Sequence, residues 1–117
     1  MRVALIAVLL VLAGCGRDAP APAPIGNVEN GKLLLRQFGC GKCHEIPGVA
    51  DARGHVGPPL AGVAGRIYLA GLLPNTPENL VSFIRDPRRH HPASVMPDLG
   101  VTEMHARDMA AYLGTLR

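Results

Sequence analysis

Five consecutive residues, Cys40-Gly41-Lys42-Cys43-His44, carry the clearest chemical signal in the sequence. The C-x-x-C-H spacing is typical of covalent c-type haem attachment, in which both thiols form thioethers with the porphyrin and the histidine faces the iron. Three other uses stay open: a thiol–disulfide centre, a zinc site completed by His90 or His91, and a structural disulfide. The motif favours haem, because a zinc site gains nothing from the adjacent histidine and a dithiol centre usually belongs to a βαβ unit, which is lacking here.

An iron held by His44 needs a second axial donor. The candidates are the other histidines and the internal methionines: His55, His90, His91, His105, Met96, Met104 and Met109. Methionines in a helix usually fill the core, and the histidines at positions 55 and 105 are expected to be solvated or locally bonded. Met96 lies in a non-helical, proline-flanked segment, residues 92–97, and we predict that it is the sixth ligand. His90 or His91 is the alternative.

Three segments with helical periodicity are expected to position these residues. The first covers residues 28–38. The second begins at Thr76-Pro77-Glu78, which supplies an N-cap, a proline at the first helical position and an acid in the first turn, and Pro87 stops it. The third opens at Thr102-Glu103. No segment alternates convincingly as a strand, so the predicted class is all-α. The expected apolar faces are Leu34, Leu35 and Phe38; Leu80, Phe83 and Ile84; and Ala106, Met109, Ala110, Leu113 and Leu116.

The composition is short of core-forming residues. The chain of 117 residues has 14 Gly and 11 Pro, no Trp, two Phe and two Tyr. A domain this small also buries a smaller fraction of its surface on folding than a large domain does. A long Gly/Pro-rich segment between the first two helices is understandable if it wraps a bound object. The net charge of +3, without a basic stripe, excludes nucleic-acid binding, and a charged fraction of 18 % argues against a disordered chain.

The first 27 residues carry a different signal. Residues 3–13 are apolar and uncharged, too short to span a bilayer but suited to an export signal. Leu12-Ala13-Gly14-Cys15 resembles the lipobox of bacterial lipoproteins, which implies cleavage before Cys15 and lipidation of its thiol. The Pro/Ala alternation that follows favours a stiff polyproline II tether. We therefore expect a signal peptide at residues 1–14, an anchor and tether at 15–27, and a domain at 28–117, exported and held on a bacterial membrane facing the periplasm or exterior.

The chain resembles the class I cytochromes c, small monohaem electron carriers. The resemblance covers essentially the whole predicted domain, and its motifs occur in the family's order and at nearly its spacings. They are Gly31, Cys40-Gly41-Lys42-Cys43-His44, Gly57-Pro58-Pro59-Leu60, Gly65-Arg66, Asp86-Pro87, Ser94-Val95-Met96-Pro97 and Ala111-Tyr112-Leu113.

The resemblance implies thioethers at Cys40 and Cys43, one covalent haem c, and iron ligation by His44 and Met96. It further implies that the Pro58 carbonyl accepts a hydrogen bond from the histidine's other ring nitrogen. The remaining haem-binding residues that it implies are Arg66, beside a propionate, and Ser94. Gly31 and Tyr112 would mark the crossing of the terminal helices, which is expected to pack less tightly because Leu35 replaces the family's usual aromatic.

We therefore predict an electron-transfer protein and not an enzyme. His/Met ligation raises the reduction potential relative to bis-His ligation and leaves no position for a small-molecule substrate. The expected partners are redox proteins, such as a donor complex and a terminal oxidase. Three alternatives stay open: a subunit of a larger oxidoreductase, a ligand-sensing or peroxidase-like haem protein, and an exported dithiol or metal protein.

A basic cluster lies between the second helix and Met96. It consists of Arg85, Arg88, Arg89, His90 and His91. A cluster of this kind could steer an acidic redox partner toward the haem edge by long-range attraction.

Overall fold

A computed structural model describes residues 25–117. The predicted signal peptide, Cys15 and most of the tether lie outside the described residues. The helices are α1 (Val28–Gln37), α2 (Pro77–Arg85), α3 (Pro87–His90) and α4 (Glu103–Leu113), with 3-10 turns at Cys40–Lys42 and Val63–Gly65. Two short antiparallel strands, β1 (Tyr68–Leu69) and β2 (Leu73–Pro74), form a small ribbon. None of the helices in the described part of the chain is long and apolar enough to cross a bilayer.

Side-chain caps determine where the three longer helices begin. The side chain of Asn27 accepts a hydrogen bond from the Asn30 amide ahead of α1. Thr76 caps α2 in the same way, and Thr102 caps α4. Such caps satisfy amide groups that the first helical turn leaves without partners. The predicted starts of α2 and α4 are confirmed.

Two details differ from the sequence expectations. Helix α2 ends at Arg85, and Pro87 does not simply terminate it but starts α3, with the Asp86 side chain accepting from the Arg89 amide at 3.0 Å. Proline suits a first helical position because it needs no amide donor there. The ribbon was also not expected. Its two-residue strands are too short to show alternation, and its turn contains Ala70 and Gly71, which both have positive φ.

The core forms where α1 crosses α4. A Cβ added to Gly31 would lie 2.5 Å from the Asp108 carbonyl carbon, so the two backbones are nearly in contact. Leu35 is 2 % exposed and Met109 is fully buried beneath this crossing. The expectation of a looser crossing is therefore wrong, because the glycine allows close approach and leucine fills the remaining space. Met104, expected as core filler, is 68 % exposed.

The folded part begins slightly earlier than expected. Ile25 packs against the core, and the Asn27 amide donates to the Asp108 carboxylate at 2.7 Å. These contacts place the last residues of the expected tether on the surface of the domain.

Candidate functional site

The C-x-x-C-H motif occupies a tight turn directly after α1. Gly39 has φ +72, a conformation that glycine adopts easily, and it redirects the chain into the Cys40–Lys42 turn. The Cys40 carbonyl then accepts hydrogen bonds from the amides of Cys43 at 3.2 Å and His44 at 3.0 Å. This turn brings two half-buried cysteines and the histidine into one short unit, and neither cysteine is in a disulfide.

A second segment, residues 54–60, runs along the motif and is hydrogen-bonded to it. Gly54 donates to the Gly41 carbonyl at 3.0 Å, and Gly57 donates to the Cys43 carbonyl at 2.7 Å. The backbones pack closely, since a Cβ on Gly54 would lie 2.5 Å from the Cys43 carbonyl carbon. The glycines of the Gly/Pro-rich segment thus allow backbone-to-backbone packing at the motif.

The imidazole of His44 is held in a defined orientation. Its Nδ1 lies 2.7 Å from the Pro58 carbonyl oxygen, the contact that the family resemblance implies. Because a carbonyl only accepts, Nδ1 carries a proton, and in the neutral ring the lone pair is therefore on Nε2. Gly57 lies against the ring, and a Cβ there would be 2.7 Å from Nδ1 and 2.9 Å from Nε2. This arrangement leaves Nε2 as a donor for a metal ion, with its basicity raised by the bond to Pro58.

The surroundings of Cys40 differ from those of a reactive thiol. Burial is the main cause that raises the pKa of Cys40, and the neighbouring Cys43 adds to the increase, while a backbone hydrogen bond opposes it. Redox-active dithiols instead need a lowered thiol pKa. Among residues 25–117, no group of three or more His, Cys, Asp and Glu side chains is placed to hold a metal ion. The geometry therefore gives no support to the dithiol and zinc alternatives.

Met96 lies half-buried in the loop that follows α3. Its amide donates to Ser94 Oγ at 3.2 Å, and the Ser94 amide donates to the His91 carbonyl at 2.8 Å. Ser94 therefore shapes the loop around Met96. The structure gives it this role in loop geometry, whereas the sequence placed it with the haem-binding residues only through the family motif.

The competing histidines have other surroundings. His90 Nε2 is hydrogen-bonded to Ser82 Oγ at 2.7 Å, so this nitrogen already has a partner. His55 is exposed, whereas His105 is half-buried, with a buried Nδ1 that lacks a hydrogen-bond partner in the described part of the chain. The bond between Ser82 and His90 has no sequence signal, because two polar residues eight apart contact only when α3 folds back along α2.

Arg66 holds the loop that follows Pro58. Its guanidinium donates to the carbonyl of Pro59 and, at 3.4 Å, to that of Ala61. The side-chain Nδ2 of Asn75 donates to the carbonyls of Val63 at 2.8 Å and Arg66 at 2.9 Å. No motif in the sequence marks Asn75, whose side chain closes this loop by hydrogen-bonding to two backbone carbonyls.

The basic cluster is only partly neutralised. Arg85 pairs with Glu103 at 3.6 Å, and Arg107 also binds Glu103. Arg88 and Arg89 are exposed, and neither has an ion-pair partner among residues 25–117. Helix α3 therefore presents two free cations close in sequence to Met96.

A cleft of about 520 Å³ lies between α2, α3 and the start of α4, away from the C-x-x-C-H motif. Its lining mixes arginines with carboxylates, and Arg85 and Arg107 are already paired with Glu103 there. We do not assign the functional site to this cleft.

Large apolar side chains are exposed in the loops between the motif and α4. Each is between 42 % and 78 % exposed: Val56, Ile67, Tyr68, Leu72, Val95 and Leu99. Each of these side chains has apolar area in contact with water that a bound apolar group could cover. Together with two free thiols and a metal-ready imidazole, they fit a large, apolar, iron-containing group such as haem.

The fold and the site define a small helical domain built around a C-x-x-C-H turn and an oriented histidine. A profile of the family described as "Cytochrome c" matches residues 28–117, and the chain belongs to this family. Membership indicates haem binding and electron transfer.

One curated relative shows a similar sequence. Cytochrome c oxidase subunit 2 of Alkalihalophilus pseudofirmus is 32 % identical over 103 residues. The aligned region covers 87 % of this chain but only 29 % of the relative. The similarity therefore concerns a domain-sized part of a larger protein.

Proposed function

We propose that this protein is a monohaem c-type cytochrome that transfers single electrons between proteins. Cys40 and Cys43 would each form a thioether to one haem, and His44 and Met96 would be its axial ligands. The observation that carries the proposal is the turn holding both free thiols beside an imidazole whose Nδ1 donates to Pro58. When bound, the haem supplies one-electron redox chemistry.

The residues around the motif determine how such a group would be held. The hydrogen bond to Pro58 restricts rotation of the His44 ring and selects the tautomer that has its proton on Nδ1, and Gly57 allows the ring to lie close to the backbone. Met96 is favoured over His90 because Ser82 already occupies the Nε2 of that histidine. Filling both axial positions leaves none for a substrate, which suits a carrier rather than an enzyme. The family resemblance implies that Arg66 lies beside a propionate, and in this structure its guanidinium donates to backbone carbonyls.

The proposed partners are redox proteins with acidic surfaces, such as a donor complex and a terminal oxidase. Arg88 and Arg89, exposed and without ion-pair partners in the described chain, support this choice because unpaired cations attract an acidic surface over long distances. The similarity to an oxidase subunit also supports an oxidase as electron acceptor.

A second candidate is an electron-transfer subunit or domain within a larger oxidoreductase. The observation that favours it is the same relative, in which the matching region is a minor part of the protein. Affinity purification from membranes under mild detergent separates the candidates. A partner recovered in equal amount supports the subunit, whereas recovery of the cytochrome alone supports the free carrier.

We also propose that the protein is exported and lipid-anchored at Cys15, with residues 1–14 removed as a signal peptide. The support is the apolar, uncharged run ending in a lipobox-like sequence. Fractionation of cells expressing the full chain tests this. The Cys15→Ser variant should move from the membrane to the soluble fraction, and a variant that stays on the membrane would contradict the anchor.

Spectroscopy of protein expressed with a c-haem maturation system tests the central proposal. Haem that stays with the chain through denaturation in alkaline pyridine and has a c-type spectrum supports two thioethers. A weak near-infrared band in the oxidised native protein supports ligation by Met96. The Cys40→Ala/Cys43→Ala variant should lose its haem on denaturation, while Cys15→Ser, the matched cysteine control, should keep it. A colourless parent protein refutes the proposal.

A further inference from the structure

Helix α3 is tied to α2 through His90. The Nε2 atom of His90 is hydrogen-bonded to Ser82 Oγ at 2.7 Å in a partly buried position. The imidazole also stacks on Phe83, with ring centroids 6.2 Å apart and an interplanar angle of 27°. A hydrogen bond and a ring contact therefore hold the last residue of this four-residue helix.

The start of α3 is held as well. Pro87 is among the most deeply buried side chains, and the Asp86 carboxylate caps the helix through the Arg89 amide. A helix of one turn has almost no stability of its own. Its position therefore depends on these contacts, and His90 provides the contact nearest to the loop that follows.

That loop leads directly to Met96 through a short series of hydrogen bonds. The His91 carbonyl accepts from the Ser94 amide at 2.8 Å, and Ser94 Oγ accepts from the Met96 amide at 3.2 Å. Pro92 and Pro97 restrict the backbone on either side. Because the segment is short and stiff, a displacement of His90 is transmitted to Met96.

We infer that Ser82 is a positioning residue for Met96 and acts through His90. The Ser82–His90 bond holds the beginning of the loop, so that the weak thioether donor of Met96 stays in place. This inference rests on the proposed function, since it assumes that Met96 is an axial ligand.

The expected effect follows from the loss of one hydrogen bond. A neutral side-chain hydrogen bond typically changes an equilibrium constant about two- to tenfold. Carbon monoxide binds ferrous haem only when Met96 has left, so its apparent binding rate follows the population of the open loop. Ser82→Ala should therefore raise the rate of carbon monoxide binding to the ferrous holoprotein about two- to tenfold and weaken the near-infrared band of the oxidised form.

The test uses the holoprotein and four further variants. His90→Phe keeps an aromatic ring beside Phe83 but removes Nε2, so it should raise the rate by the same factor as Ser82→Ala. The double variant Ser82→Ala/His90→Phe should raise the rate of carbon monoxide binding by the same single factor and not by the product of two. Ser82→Thr, which keeps the hydroxyl, and Glu78→Gln, at an exposed position of α2, should bind carbon monoxide at the parent rate.

Two results from the variants would overturn the inference. One is an unchanged rate in Ser82→Ala, including the case in which this variant is less stable to guanidinium but binds carbon monoxide like the parent. The other is multiplication of the two single effects in the double variant, because residues that act through one bond cannot contribute twice. If the parent protein lacks the near-infrared band, both Met96 ligation and this inference are overturned. If the parent shows the band but Ser82→Ala binds carbon monoxide at the parent rate, only the inference is overturned.

Discussion

The contact between Gly57 and the imidazole of His44 makes a quantitative prediction possible. Gly57→Ala adds a methyl group whose carbon would lie 2.7 Å from Nδ1 and 2.9 Å from Nε2. Ordinary van der Waals contact begins at 3.4 Å, so the contact with Nδ1 alone requires a ring movement of about 0.7 Å, and Cε1, which would lie closer still, requires more. The backbone of Gly57 is itself held by its 2.7 Å bond to the Cys43 carbonyl, so the ring rather than the loop is expected to give way.

The cost of this movement has two parts. Overpacking a well-packed site typically costs about 1–3 kcal/mol. A ring movement of this size also disturbs the 2.7 Å hydrogen bond to Pro58, and loss of that bond would remove about 1 kcal/mol more. Gly57→Ala should thus lower the free energy of unfolding by about 2–4 kcal/mol. Because the bond to Pro58 makes the imidazole more basic and favours the oxidised state, its loss should raise the reduction potential.

Guanidinium unfolding and potentiometric titration of the holoprotein measure both effects. Gly65→Ala is the matched control, since a Cβ at Gly65 meets nothing within 4 Å and the residue does not have positive φ. The control should stay within about 0.5 kcal/mol of the parent or gain slightly. If Gly57→Ala unfolds like Gly65→Ala and has the parent's potential, the close packing of His44 on Gly57 is refuted.

Three further predictions concern the terminal helices and α3. Gly31→Ala should destabilise the protein by about 2 kcal/mol or more in guanidinium unfolding, because its methyl group would overlap the Asp108 backbone; a loss below about 0.5 kcal/mol would show that the helices separate freely. The pKa of Asp108 is lowered, chiefly by a hydrogen bond from the Asn27 backbone amide and then by one from the Asn30 side chain. The ionised carboxylate therefore stabilises the fold above the unfolded-state pKa near 3.8, and this contribution is lost as the pH falls through the lower folded-state pKa. Asp108→Asn should therefore be less stable at pH 7 and depend less on pH below about 4, and parallel stability–pH curves for parent and variant would contradict this. Finally, oxidation of the ferrous protein by the ferricyanide anion should slow as the salt concentration is raised. The Arg88→Gln/Arg89→Gln variant should be oxidised about two- to tenfold more slowly at low salt, with a weaker salt dependence. A salt dependence equal to that of the parent would show that these arginines do not attract the anion.

The haem-attachment motif and the starts of two helices could be predicted from short stretches of sequence. The C-x-x-C-H motif is a chemical pattern within five residues, and Thr76 and Thr102 reveal the starts of α2 and α4 because a cap acts on amides only two or three residues away. The contact between His44 and Pro58 was reached differently. It came from the resemblance to a family, since the residues Gly57-Pro58-Pro59 alone suggest no more than a turn.

Two features, the role of Pro87 and the β1–β2 ribbon, could not be predicted from the neighbouring sequence. Pro87 is compatible with ending one helix or beginning another, and only the buried position of its side chain and the Asp86 cap select the second. The β1–β2 ribbon depends on a turn at Ala70 and Gly71, and a non-glycine residue at positive φ is not predictable from its neighbours.

The sequence alone therefore determined short-range features: which residues are candidates for binding haem, where two of the helices begin, and which positions are apolar. Only the tertiary structure determined which residues distant in sequence are in contact. It placed Gly31 against Asp108, so that a crossing expected to be loose is close, and it brought Ser82 to His90, which gives a predicted ligand candidate a structural partner. The physical reason is that these contacts depend on how whole helices pack, and no property of either residue specifies its distant partner.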